Sequence, residues 1–134
     1  MPKKPTRGVR NNNPGNIRHS KDKWRGLAPV QTDSAFFVFL EAKWGVRALG
    51  KILLTYNRKY GLNTVRGIID RWAPPVENDT NSYVAAVAKA LIIAPDTEIS
   101  VPTRLPALAT AIIHHENGYN PYLPADIAQW VFLA

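Results

Sequence analysis

The run Ile112-Ile113-His114-His115-Glu116-Asn117-Gly118-Tyr119-Asn120-Pro121 places one carboxylic acid at the end of an apolar helix, just before a turn. Apolar surroundings penalise the charged form of an acid and raise its pKa, so such a group keeps its proton near neutrality. A helix C-terminus acts in the same direction, because the negative end of the helix dipole opposes an anion. An acid that holds its proton there is the donor that cleavage of a glycosidic bond requires. An ordinary surface glutamate in a salt bridge occupies such positions too, and the residues alone leave both roles open. His114 and His115 are adjacent on the helix and face different directions, which predicts one packed and one exposed ring. No third ligand stands near them at metal-binding spacing, so neither a metal nor a cofactor is expected.

The elements that must position Glu116 follow from hydrophobic spacing. Trp44, Ala48, Leu49, Ile52, Leu53 and Tyr56 recur at three- and four-residue steps, which predicts a helix over 41–60 ended by Gly61. Asn63-Thr64 caps a shorter helix through Val65, Ile68, Ile69 and Trp72 that stops before Pro74-Pro75. Asp79 or Thr80 caps the next, with Tyr83, Val84, Val87, Ala88 and Leu91 on its apolar face. Residues 94–103 read as a loop, Pro106 to His115 as the helix leading to Glu116, and Pro124 to Phe132 as a last helix with proline in its first turn. Ahead of these, Asn11-Asn12-Asn13-Pro14-Gly15-Asn16 is a dense turn signal. Ile17-Arg18, 27–30 and 35–39 then read as short strands of an irregular β-hairpin region.

A chain of 134 residues with 46% hydrophobic content is one domain with a modest core. Cysteine is absent, which excludes disulfides and thiolate metal sites. No apolar run is long enough for a membrane span, and no apolar stretch follows the basic start, so no secretory signal is expected. The net charge of +7 is concentrated early: residues 1–25 hold Lys3, Lys4, Arg7, Arg10, Arg18, Lys21, Lys23 and Arg25 against Asp22 alone. Residues 1–10 therefore read as a basic flexible arm ahead of a single domain over 11–134. Such an arm either solubilises the chain or attracts polyanions, among them anionic cell-wall polymers, a membrane surface or nucleic acid.

The Glu116 segment resembles the catalytic motif of lytic transglycosylases and related lysozyme-like muramidases. In these families a helix ends in Glu, a small polar residue, an aromatic residue and Asn-Pro. Three further blocks resemble the same domain. Asn13-Pro14-Gly15-Asn16-Ile17 looks like its substrate-cleft turn, Trp44-Gly45-Val46-Arg47-Ala48 like its next helix, and the stretch from Pro74 to Val84 like its closing Tyr-Val segment. In those families the Glu motif lies near the start of the domain, whereas here it lies near the end. The resemblance covers nearly the whole chain beyond residue 10 and implies a circularly permuted lysozyme-like fold: α+β, mostly helical, with a small β-hairpin region. Permutation of this kind is tolerated when the parent termini lie close together. The chain is also similar to small phage-encoded virion or lysis proteins that open with Arg-Asn-Asn-Asn-Pro-Gly-Asn-Ile-Arg.

The resemblance implies a peptidoglycan-cleaving glycosidase acting on the β-1,4 bond between N-acetylmuramic acid and N-acetylglucosamine, with Glu116 as general acid and base. It implies a Tyr83 hydroxyl near the catalytic carboxyl, although Tyr83 equally suits a helical core. Asn117 and Tyr119 belong to the motif and are expected at the substrate. Asn13 and Asn16 either shape their turn or present amides to acetamido groups, and Trp24, in basic Lys23-Trp24-Arg25, is suited to stacking on a sugar ring. A muramidase needs a second carboxylate. Asp33, in Gln31-Thr32-Asp33-Ser34, lies where muramidases place it, and it also suits an ordinary turn; Glu77 and Asp79 read as capping residues. A lytic transglycosylase needs no second acid, because the sugar's own 6-hydroxyl attacks and leaves a 1,6-anhydro ring, and that branch is favoured. The competing readings are a non-catalytic virion structural protein and a basic nucleic-acid binder. A monomer is expected, held in the host cytoplasm until release or carried in a virion, and acting on the cell wall.

Overall fold

A computed structural model describes residues 4–134 and orders six helices: α1 (Arg7–Arg10), α2 (Ala42–Tyr60), α3 (Val65–Trp72), α4 (Thr80–Leu91), α5 (Val101–Asn117) and α6 (Pro124–Trp130). Helix α5 is the axis of the molecule. It buries Val101, Leu105, Leu108, Ala109, Ile112 and Ile113 and packs against α4, α2, α6 and α1. Val46, Leu49 and Leu53 of α2, Ile68 and Ile69 of α3, Val87 of α4 and Ile127 of α6 complete this core. A smaller cluster of Ile17, Phe37, Phe39 and Ala48, bordered by Trp24, Trp44, Ile52 and Trp72, anchors the segment before α2.

Caps set the helix ends. The Thr64 side chain accepts from the Gly67 N–H at 3.0 Å, and Asp79 accepts from Ser82 at 3.2 Å, each relieving an unpaired first-turn donor. Gly61 and Gly118 close α2 and α5 in the left-handed conformation, at φ 68° and 74°. The predicted loop over 94–103 ends earlier than expected. Ser100 caps α5 and Pro102 sits in its first turn, so Pro106 falls inside the helix rather than at its start. Proline at 106 has no N–H to offer the Pro102 carbonyl, so α5 forgoes one backbone hydrogen bond in its second turn.

Two expectations are corrected. Residues 7–10 are not part of a flexible arm: they form α1, with Gly8 buried, and α1 packs against α5. Residues 1–3 of the expected arm lie outside the described residues. The β-hairpin region forms no regular strand pair; it is held by two isolated antiparallel bridges, Arg18 with Phe36 and Leu27 with Phe39. Side-chain amides supply the missing rungs. Asn13 Nδ2 donates to the Ile17 and Phe37 carbonyls, while Gln31 accepts from the Val38 N–H and donates to the Ala28 and Val38 carbonyls. The fold is thus mostly helical. No helix among the described residues is long and apolar enough to cross a membrane.

The turn before the bridges is seated directly on α2. A Cβ at Gly45 would lie 1.9 Å from the Asn12 carbonyl oxygen, so only glycine allows the turn to approach this closely. That approach carries Asn16 to the end of α5.

Candidate active site

Glu116 occupies the last turn of α5 and is half-buried. Both carboxylate oxygens are held: Asn16 Nδ2 donates to Oε1 at 3.0 Å, and the Tyr83 hydroxyl donates to Oε2 at 2.8 Å. Tyr83 accepts in turn from Trp72 Nε1 at 3.1 Å. Indole nitrogen can only donate, so this contact fixes the phenol proton toward Glu116. Burial pushes the Tyr83 phenol far above its usual range, the Glu116 carboxylate pushes it the same way through charge and hydrogen bond, and Trp72 opposes weakly. The phenol therefore stays a donor across the physiological pH range. The His115 ring stacks on Tyr83, with centroids 3.8 Å apart, and both His114 and His115 are exposed, in place of one packed and one exposed ring.

Each partner is delivered by a different element. Thr80, buried at the start of α4, donates its hydroxyl to the Ala73 carbonyl at 2.6 Å and so locks α4 to the end of α3. That link sets Trp72 beside Tyr83. Asn16 takes a positive φ of 51°, a conformation asparagine tolerates better than most residues. The side chain of Asn117 holds the turn to α5, donating to the Pro14 and Ile113 carbonyls at 2.8 Å and accepting from Thr6 at 2.6 Å.

Glu116 opens onto a cleft of about 550 Å³ whose walls include Asn16, Trp24, Phe36, Tyr56, Tyr60 and Trp72. The cleft is rich in aromatic faces, carries Arg18 and Arg71 at its margins, and also exposes Asp22 and Glu77. Glu77 lies 3.6 Å from the Arg18 guanidinium and does not cap α4; Asp79 does. A cleft of this size suits an extended ligand with ring faces to stack and amides to bond.

Of the residues singled out from sequence, the structure brings Glu116, Tyr83, Asn16 and Trp24 to this cleft or its immediate wall. Asn13 and Asn117 are elsewhere employed: both are buried, and their amides are spent on backbone groups and on Thr6, which corrects their assignment to the substrate. Tyr119 does not line the cleft. Asp33 does not line it either. Its carboxylate receives two hydrogen bonds from Arg7 at 2.6 Å, one from Asn11 at 3.0 Å, and the Ala35 and Phe36 N–H groups. The Arg7 guanidinium, aided by the Ala35 N–H and Asn11, holds the Asp33 carboxyl well below the usual carboxylate range. This is the geometry of a clamp between α1 and the bridge region, and it corrects the expectation of a second acid at this position.

The sequence marks Trp72 only as an apolar position on its predicted helix and does not single out Arg71. The Tyr56–Tyr60 pair that Arg71 meets is visible as an i, i+4 aromatic pair on α2. Nothing local signals that α3 would bring an arginine onto it.

No protein-family model matches the chain. The chain is 42% identical over 132 residues to Protein P5 of Pseudoalteromonas phage PM2, a match that covers 94% of this chain and 82% of that protein.

Proposed function

The chain belongs to the family of this phage protein, and we propose that it is a peptidoglycan-cleaving glycosidase with a circularly permuted lysozyme-like fold and Glu116 as its general acid and base. The observation that carries this reading is a single carboxyl group, fixed at both oxygens by Asn16 and Tyr83, at the wall of an open aromatic cleft. Glycosidic cleavage asks for a carboxyl group held at hydrogen-bond distance from the bridging oxygen, with ring faces around it.

In the proposed reaction the Glu116 carboxyl gives its proton to the oxygen joining N-acetylmuramic acid to N-acetylglucosamine. The bond from that oxygen to muramic C1 breaks with its electron pair, leaving an oxocarbenium-like centre. Glu116, now a carboxylate, takes the proton of the muramic 6-hydroxyl as that oxygen bonds to C1. The products are a 1,6-anhydro ring and a free 4-hydroxyl, and Glu116 regains its starting proton. The transglycosylase branch is preferred over hydrolysis because Asp33, the acid expected to activate water, lies outside the cleft. Asp33 is bound to Arg7, and Glu77 is paired with Arg18. Tyr83 and Asn16 act through Glu116, orienting its carboxyl.

Replacing Glu116 by Gln keeps the shape and removes the transferable proton. The expected outcome is a folded protein with no clearing of sacculus suspensions. Clearing at the wild-type rate would end the assignment, and a folded wild-type protein that clears nothing would favour a structural role instead.

A further inference from the structure

Arg71 occupies the last turn of α3, beside Trp72, and lines the same cleft as Glu116. Its guanidinium carbon lies 3.7 Å from the ring centroid of Tyr60 and 5.3 Å from that of Tyr56. Tyr56 and Tyr60 are one turn apart on α2, and both line the cleft. Arg7, Arg18 and Arg66 are each paired with a carboxylate. Among the described residues Arg71 has no such partner and donates no hydrogen bond. Stacking on an aromatic face fixes the plane of a guanidinium while leaving its edge donors open, the arrangement that meets a planar carboxylate with two parallel hydrogen bonds. Arg18, the other arginine of the cleft, lies 3.6 Å from the Glu77 carboxylate, which leaves Arg71 as the cleft arginine without an acidic partner among the described residues.

We infer that Arg71 anchors a carboxylate of the peptide stem, so that the cleft selects peptide-bearing glycan over a neutral polysaccharide. The inference rests on the glycosidase reading of Glu116. In cross-linked peptidoglycan the lactyl carboxyl of muramic acid is consumed in the amide bond to the peptide, which leaves the stem as the source of free carboxylates. Arg71 is therefore a specificity-determining residue, acting on the substrate away from the scissile bond.

The test compares native sacculi with sacculi whose carboxyl groups have been converted to methylamides by carbodiimide and methylamine. Cosedimentation and release of soluble fragments are both read, at a salt concentration that screens general attraction to a basic protein. Wild type is expected to lose about tenfold or more in both readouts on amidation, as loss of a charge-assisted bidentate contact implies. Arg71→Gln should show that loss already on native sacculi and lose little more on amidated ones. Lys89→Gln removes an exposed charge from α4 and should behave as wild type. Arg71 is exposed, so its replacement leaves the core intact. Equal behaviour of Arg71→Gln and wild type on native sacculi, or an equal proportional loss on both substrates, would overturn the inference. No release by wild type, with binding that still depends on Arg71 and on carboxylates, would overturn the glycosidase reading and leave the anchor standing.

Discussion

Trp72 decides which way the hydrogen bonds of the site point. Its indole donates to Tyr83, so Tyr83 donates to Glu116, and one carboxylate oxygen is always met by a proton from the protein. Tyr83→Phe would leave the buried end of this relay unpaired and free one side of the carboxyl. Given about 1–3 kcal/mol for such a loss, kcat should fall roughly 5- to 150-fold with little change in KM. Steady-state kinetics on soluble glycan strands would check this, and a wild-type kcat would show that the contact does not orient the acid. Asp33 belongs to stability instead. Its folded pKa lies below the unfolded value, so its contribution is present above about pH 4 and is lost as pH falls through the folded pKa. Asp33→Asn should therefore lower Tm at neutral pH, with the gap to wild type closing in acid, while sparing the chemical step. Thermal melts across pH would show it. The motif made Glu116, Tyr83 and Asn16 legible in the sequence as neighbours in chemistry. Asn13 and Asn117 misled because an amide reads the same whether it faces a ligand or a backbone carbonyl. The Trp72 and Arg71 contacts join separate helices, and no local pattern encodes them.

Helices α2, α3, α4 and α6 lie where apolar spacing and caps place them, because a buried stripe and a capped end are both local properties. The segments that sequence patterning misses are those held by distant partners. Helix α1 is too short to carry a stripe, and it is retained by Arg7 on Asp33 and Thr6 on Asn117. The bridge region shows strand composition, yet Asn13 and Gln31 replace ladder bonds with side-chain ones. Gly45 ties these pieces to the core. Gly45→Ala would force a Cβ against the Asn12 carbonyl, and the backbone must move to relieve it. The expected cost is about 1–3 kcal/mol, read as a lower urea midpoint. Because the same turn carries Asn16, activity should fall by more than the loss of folded protein accounts for. Unchanged stability would mean that the turn is not seated on α2 as described.

At the scale of the whole molecule, the chain carries an excess of seven positive charges, and its cleft holds one oriented acid, ring faces to stack on and a stacked arginine. The charge favours approach to an anionic polymer, and the cleft sets what happens after contact. The Asn16 turn and the Glu116 end of α5 lie near opposite ends of the chain, yet they meet in space across 100 residues of separation. The reading of this molecule as a lytic transglycosylase turns on the bond it breaks. Mass spectrometry of the soluble products from purified peptidoglycan tests that most directly. Wild type is expected to release fragments ending in 1,6-anhydromuramic acid, and Glu116→Gln none. Absence of fragments from folded wild-type protein, or the same fragments from both, would contradict that reading.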